Sequence, residues 1–336
     1  MPRKIRDKQL SLRQMARMRG ARRPAPLTME LPDDESALGP EEEGRVVAHF
    51  GLNVEVETDS GERLRCAVRE ALLEEPVCGD RVVSRRVGAE QGVIVSVHER
   101  LSVLRRPGPH QRLLTVAANV ERIVMVSAAA TLNTGLVDRY LIAAQKAGIE
   151  PLLVVNKIDQ MTDRNALEAA FAPYPRMGYT LFQVSALHET GIESLEEALR
   201  DKTAIFVGES GVGKSSLINR MVPGEILRTA EVHAATGLGR HATTTARLYR
   251  LTRGGFLIDS PGVREFGLHG VIREEIPGLM RDMAPRLGQC RFKDCRHMRE
   301  PDCALRAAVE AGEIAAARLE SMRRIAESVP ARNPYF

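Results

Sequence analysis

The sequence predicts an α/β chain in three parts: a small β-barrel, a helix-covered parallel sheet, and a C-terminal helical module around a Cys/His cluster. Three observations carry this. Between Arg45 and about Arg106, short β-rich runs alternate with turns. From about Ala117 to Gly267, continuous apolar runs alternate with amphipathic segments, the pattern of a parallel sheet covered on both faces. Further on, Cys290, Cys295, His297 and Cys303 fall within 14 residues of a helical stretch.

The 336 residues suffice for two or three domains at roughly 100–200 residues each. With 43% hydrophobic and 27% charged residues, wholesale disorder and a fibrous chain are excluded. No run reaches the ~18 uninterrupted apolar residues of a membrane span. The N-terminus, MPRKIRDKQLSLRQ, lacks the apolar core of a secretory signal. Five cysteines, an odd and sparse number, predict a reducing compartment, the cytoplasm, rather than a disulfide framework.

Residues 1–30 hold nine basic side chains against two acidic ones. Since the whole chain carries +4, the basic character belongs to this arm and the remainder is slightly acidic. A basic arm suits nucleic acid, because each neutralised phosphate releases counterions; a solvated tail has the same composition. An acidic Gly/Pro-containing stretch, Leu31 to Gly44, has too few apolar residues to bury a core and reads as a linker. Residues 1–44 are therefore predicted as a disordered arm and linker.

Residues 45–106 form the predicted barrel. Its five runs are RVVAHF, LNVEVET, RLRCAV, DRVVSRR and GVIVSV, with Asp59-Ser60-Gly61 at a hairpin position. Small barrels of this kind include OB-folds, which often bind nucleic acid. Phe50 is the one aromatic residue here, so no stacking platform for bases is evident, and a barrel that only packs is nearly as good a reading. Cys66 and Cys78 are expected in its core.

Residues 107–267 form the predicted parallel-sheet domain, with strands at ERIVMVSA, PLLVVN, TLFQVSA, TAIFVG and FLIDS and helices at VDRYLIAAQKAG and IESLEEALRD. After TAIFVG comes Gly208-Glu209-Ser210-Gly211-Val212-Gly213-Lys214-Ser215-Ser216, which fits G-x-x-x-x-G-K-[ST] between an apolar strand and a helix. The glycines let backbone N–H groups surround a phosphate, and the helix N-terminus adds its positive end. Lys214 would reach the β- and γ-phosphates, and Ser215 would bind Mg²⁺.

Asn156, Lys157 and Asp159 form N-K-x-D at the end of an apolar strand. Asp159 can accept from guanine N1–H and the exocyclic amine together. Adenine offers neither donor there, and a site built on hydrogen bonds strongly rejects the analogue that lacks them. Lys157 would lie along the base, and Ser185-Ala186 would back guanine O6. Asp259-Ser260-Pro261-Gly262 fits D-x-x-G: Asp259 would hold Mg²⁺ and the Gly262 N–H would sense the γ-phosphate. Each short motif alone is cheap; together they reinforce one another.

Their order is unusual. N-K-x-D (156–159) and Ser-Ala (185–186) precede the phosphate loop (208–215), the threonines (243–245) and D-x-x-G (259–262). Ordinary GTPases begin with the phosphate loop, so this is a circular permutation, topologically reasonable where domain termini lie close together. It joins D-x-x-G directly to the C-terminal segment, through which nucleotide state could be transmitted.

With GESGVGKSSL, GLGRHATTT, IDSPGVREFG and CRFKDCRHMREPDC, the chain resembles the RsgA (YjeQ) family over about residues 45–330. The resemblance implies a circularly permuted P-loop GTPase domain with an N-terminal OB-fold β-barrel and a C-terminal helical zinc-binding module. It also implies GTP hydrolysis stimulated by the small (30S) ribosomal subunit, in late maturation of that subunit. The family has three threonines directly after its histidine. Here Ala242 takes the first place, followed by Thr243, Thr244 and Thr245. Thr243 is the first choice for Mg²⁺ and Thr244 the second. Val263 follows D-x-x-G, and valine cannot orient water as the glutamine of Ras-like enzymes does. The resemblance gives a catalytic role to His241, on a Gly-containing loop that ribosome binding could order. His241, Lys214 and Gly262 are the candidate catalytic residues.

Residues 268–336 form the predicted C-terminal module. Cys290, Cys295, His297 and Cys303 give C-x4-C-x-H-x5-C, a closed ligand set for one structural Zn²⁺. Arg291, Lys293, Arg296 and Arg299 lie between the ligands, as rRNA contacts or as a solvated face. The predicted last helix starts near Pro301-Asp302 and runs through AAVEAGEIAAARLESMRRI.

The expectation is a monomeric GTP hydrolase that cycles between GTP and GDP with Mg²⁺. It would bind the small subunit and 16S rRNA, away from membranes, and leave on hydrolysis. The alternatives are a GTP-regulated RNA-binding switch without a maturation role, a P-loop ATPase or kinase, and a passive rRNA binder with a vestigial nucleotide site.

Overall fold

The computed structural model describes residues 38–50, 53–69, 72, 74–108, 112–131, 133–223, 246–259 and 266–331. Each β-rich run of the N-terminal part forms a strand: β1 (Glu41–His49), β2 (Asn53–Thr58), β3 (Arg63–Val68), β4 (Arg81–Arg86) and β5 (Gln91–Val97). They run side by side in the order β1-β2-β3-β5-β4, and β4 returns to β1, closing an OB-like barrel. Alternate residues point inward, so Val46, Val54, Val56, Leu64, Cys66 and Ile94 fill its core. Burial pushes the Cys66 thiol up to about 12 and raises Cys78 as well, which makes both neutral packing groups.

One correction concerns the linker. Strand β1 starts at Glu41, inside the stretch predicted to be unstructured, and Leu38 is buried. Glu41 to Gly44 pair with Arg85 to Val82 of β4, and Glu42 meets Arg86 at 2.6 Å. Backbone pairing and charge complementarity order an acidic run that has almost nothing apolar to bury. The basic arm lies outside the described residues.

A hairpin of β6 (Val103–Pro107) and β7 (Leu113–Ala118) follows the barrel, so the 106/107 division falls within β6. Next come β8 (Arg122–Ala128), α1 (Thr134–Ala147), β9 (Glu150–Asn156), α2 (Arg164–Phe171), α3 (Pro173–Arg176) and β10 (Thr180–Gln183). Then follow α4 (Ile192–Ala198), β11 (Thr203–Val207), α5 (Lys214–Met221), β12 (Arg247–Arg250) and β13 (Phe256–Asp259). Strands β10-β9-β8-β11-β13 are mutually parallel. Their carboxyl ends share one edge, where open α/β sheets bind ligands. Strand β12, absent from the sequence-based strands, is a four-residue run antiparallel to β13. It also touches β1 through Ala48↔Arg247, so barrel and parallel sheet are continuous.

The C-terminal part holds 3₁₀ turns at Arg273–Leu279 and Ala284–Arg286, then α6 (Ala304–Glu310) and α7 (Ala316–Ser328). The single predicted last helix is thus two. Gly312 breaks it at φ +75, and the N–H groups of Glu313 and Ile314 both return to the Ala308 carbonyl, at 2.9 and 3.2 Å. The turn lets Leu305, Ile314 and Leu319 share one core.

A buried charge cluster joins this module to the sheet domain. The Arg318 guanidinium of α7, 5% exposed, donates to both oxygens of Asp282 at 2.9 Å and to Asp138 of α1. The Tyr174 hydroxyl donates to the same Asp138 carboxylate at 2.8 Å. Removing one partner from such a cluster strands the others without water. Arg318→Ala is expected to destabilise the protein by about 3–5 kcal/mol in chemical denaturation. Arg291→Ala, which removes an exposed pair with Asp302, should cost under about 1 kcal/mol.

Candidate functional site

Three loops meet at the carboxyl edge of the parallel sheet. The glycine-rich loop follows β11, N-K-x-D follows β9, and Ser185-Ala186 follows β10. Asn156, 1% exposed, holds them together. Its amide Nδ2 donates to the Val212 carbonyl at 2.9 Å, and its Oδ1 accepts from the Ala186 N–H at 3.2 Å. Asn156 is spent on architecture, which leaves Asp159 to face a base.

Lys157 turns the chain at φ +61, into the short 3₁₀ turn Ile158–Gln160 that carries Asp159. The Asp159 carboxylate is exposed and accepts from the Ser185 hydroxyl. That bond holds its pKa below the usual carboxylate value, so it is an anion with lone pairs free for donors at neutral pH. Ser185 is fixed in turn by an N–H from His188 at 3.2 Å. The Ala186 carbonyl receives Nε of Arg220 from α5 at 3.2 Å.

The loop from Gly208 to Gly213 wraps the start of α5. Lys214 Nζ donates to the carbonyls of Gly208 and Glu209, at 2.8 and 2.7 Å, so its ammonium sits in the loop where an anion could take it. Gly213 has φ +93, and a β-carbon there would lie 2.3 Å from Asn156 Nδ2. Both facts require glycine. Ser215 and Ser216 open α5 beside the loop, and Ser210 and Gly211 form its exposed rim. Asp259 ends β13, the parallel neighbour of β11, and the loop after β11 leads to Ser215 in the first turn of α5; a carboxylate and a hydroxyl are oxygen donors of the kind that suits Mg²⁺. His241, Thr243, Thr244, Thr245 and Gly262 lie outside the described residues.

One contact had no motif to announce it. Asn133, the N-cap of α1, donates Nδ2 to the Glu209 carboxylate at 3.3 Å. In sequence, α1 shows only an amphipathic run.

The Cys/His cluster is a separate centre. Sγ of Cys290, Cys295 and Cys303 lie 3.5, 3.7 and 3.4 Å from His297 Nδ1, and all four ligand atoms fall within 4.8 Å of one another. Ordinary Zn–S and Zn–N bonds at tetrahedral angles require about 3.6 Å between S and N. The residues therefore fit zinc. Burial, with the neighbouring thiols adding, pushes the Cys295 thiol up to about 12; a bound cation reverses that preference. The Arg323 guanidinium bonds the His297 carbonyl at 3.0 Å, tying the cluster to α7.

The chain is similar to known proteins of one GTPase family. The family model described as RsgA GTPase matches residues 97–269. The chain is 47% identical over 319 residues to the small ribosomal subunit biogenesis GTPase RsgA of Azotobacter vinelandii, covering 93% of this chain and 92% of that one. It is 46% identical over 315 residues to the protein of the same name from Pseudomonas aeruginosa, with 93% and 92% covered. The crystal structure of YjeQ from Thermotoga maritima superposes with a TM-score of 0.72 at 32% identity, over 86% of this chain and 98% of that one. YloQ, described as a circularly permuted GTPase, gives 0.70 at 25% identity, over 86% and 95%.

The Asn156 geometry sets a direct test. Gly213→Ala must push the Asn156 amide off the loop. Asn156→Ala loses two buried hydrogen bonds worth about 1 kcal/mol each. Each variant should weaken guanine-nucleotide binding about tenfold or more in titration calorimetry, whereas Gly88→Ala, in open space on the barrel, should leave it unchanged.

Proposed function

The chain belongs to the RsgA GTPase family, a GTP hydrolase of small ribosomal subunit biogenesis, and on that premise we propose which residues perform each step. The observation that carries the proposal is Asn156, whose two bonds bring the phosphate loop and the guanine-type loop into one pocket. A P-loop ATPase has no use for that second loop with its ionised Asp159.

Guanine is read by Asp159, with Lys157 along the base and Ser185-Ala186 behind O6. The backbone N–H groups of Gly208, Glu209, Ser210, Gly211, Val212 and Gly213, together with Ser216, surround the phosphates. Lys214 gives up its two carbonyl partners for the β- and γ-phosphate oxygens, exchanging neutral acceptors for charged ones. Ser215, Thr243 and Asp259 would hold Mg²⁺, which when bound supplies positive charge against the β- and γ-phosphate oxygens. Gly262 N–H reports the γ-phosphate, and His241 orients the attacking water. Val263 leaves this chain without the usual glutamine, so the free protein hydrolyses GTP slowly until its partner brings His241 to the attacking water.

The partner is the small (30S) ribosomal subunit. Barrel, zinc module and basic arm dock on 16S rRNA in the GTP state, late in maturation, and hydrolysis releases the protein. It acts as a monomer in the cytoplasm. None of the five cysteines is disulfide-bonded, which suits that reducing compartment. No described helix is long and apolar enough to cross a membrane.

GTP hydrolysis with and without purified small subunits tests the reading. Wild type should be strongly stimulated, and His241→Ala should lose the stimulated rate by about 100-fold or more. Equal stimulation of both removes His241 from the mechanism, and an unstimulated wild type removes the ribosome as trigger. Metal analysis should find one zinc per chain. Cys303→Ser should lower that content and the melting temperature together, because metal binding and folding are coupled here.

A further inference from the structure

One basic side chain of α5 lies beyond the motif that opens the helix. Arg220 sits in the last turn of α5, seven residues after Gly213. Its Nε donates to the Ala186 carbonyl at 3.2 Å, and its Nη1 pairs with the Glu189 carboxylate. The loop it reaches is closed at the neck, where the Ser185 N–H donates to the Thr190 carbonyl at 3.0 Å. Inside that loop Ala186 is held from two sides. Its N–H donates to Asn156 at 3.2 Å, and its carbonyl accepts from Arg220. Ser185, one residue earlier, donates its hydroxyl to Asp159.

The two ends of α5 thus serve different halves of one ligand. The first turn carries Lys214 and Ser215 at the phosphate loop, and the last turn holds the loop behind the base. Leu217, Ile218 and Met221 bury the inner face of α5 in the core that also takes Val184 and Ala186, so the helix is a fixed spacer between them. Without Arg220, the Ala186 peptide would hang on the single Asn156 contact. The second bond comes from a charged donor, the stronger kind, and the rigid guanidinium fork is aimed by Glu189. Holding Ala186 still also holds Ser185 against Asp159.

We infer that Arg220 is a positioning residue for guanine selection: anchored on the phosphate-loop helix, it fixes the Ser185-Ala186 loop so that Ser185 aims the Asp159 carboxylate. It acts through Ala186 and Ser185 rather than on the base. Its signature is therefore selectivity. Asp159 accepts from guanine N1–H and from the exocyclic amine, and hypoxanthine keeps the first donor but lacks the second. A misaimed Asp159 loses the advantage that the amine confers, while the phosphate contacts stay as they were. The inference rests on the nucleotide reading proposed above and adds a residue that sets its selectivity.

Calorimetric titration of the full chain with GDP, IDP and ADP, each with Mg²⁺, tests it. Arg220→Met keeps the apolar stem and loses every donor. It should weaken GDP binding about tenfold and narrow the preference for GDP over IDP about threefold or more. In steady-state GTP hydrolysis its KM should rise by a similar factor, while kcat changes less than about twofold. Glu189→Ala leaves Nε its acceptor and should weaken GDP less than about threefold. Both side chains are exposed, so both variants should melt close to wild type. A GDP affinity of Arg220→Met within about twofold of wild type overturns the inference. So does a loss shared equally by GDP and IDP, which would mark a general loosening of the site. Wild type that binds GDP no better than ADP would overturn the guanine reading itself, and the inference with it.

Discussion

The site depends on one buried amide. Asn156 sits where water cannot reach it and has one donor bond to the phosphate loop and one acceptor bond to the Ser185-Ala186 loop. A buried amide without partners costs free energy, so its burial and its two bonds stand or fall together. The glycine at 213 leaves the space that the amide fills. Three loops from three strands are thereby fixed to one another before any ligand arrives. A preorganised pocket spends less binding energy on ordering its own walls.

The rest of the architecture transmits from that point. The permuted order puts β13 and D-x-x-G last in the sheet domain, so the chain passes directly from the nucleotide edge to the C-terminal module. Helix α1 makes a second, non-covalent connection between them. Arg318, Asp138, Asp282 and Tyr174 close it with charges that cannot separate without being stranded in the interior. Strand β12 joins the barrel to the same sheet at its other edge. The barrel and the C-terminal module are therefore each anchored to the phosphate-loop strand through two strands or one helix.

Much of this was legible in the sequence because it is local. The barrel strands, the parallel strands and the Cys/His set are written as periodicity and short spacings. The phosphate loop, N-K-x-D and Ser-Ala can be read for the same reason. What escaped depends on contacts between distant residues. Glu41–Glu43 looked like linker because their stability comes from β4, about 40 residues on. Strand β12 is too short to show a period. Gly312 sits in a run that otherwise favours helix, and only the shared core of Ile314 and Leu319 explains the turn. Asn133 looks like an ordinary start of an amphipathic helix, since nothing local marks an asparagine whose partner lies 76 residues away.

The central claim is that nucleotide state at the sheet edge governs docking on the small ribosomal subunit. The most direct measurement is the affinity of the full chain for purified small subunits in the presence of a non-hydrolysable GTP analogue and of GDP. The account predicts binding about tenfold or more tighter with the analogue, within the usual range of coupling between linked sites. Equal affinities in the two nucleotide states would contradict it.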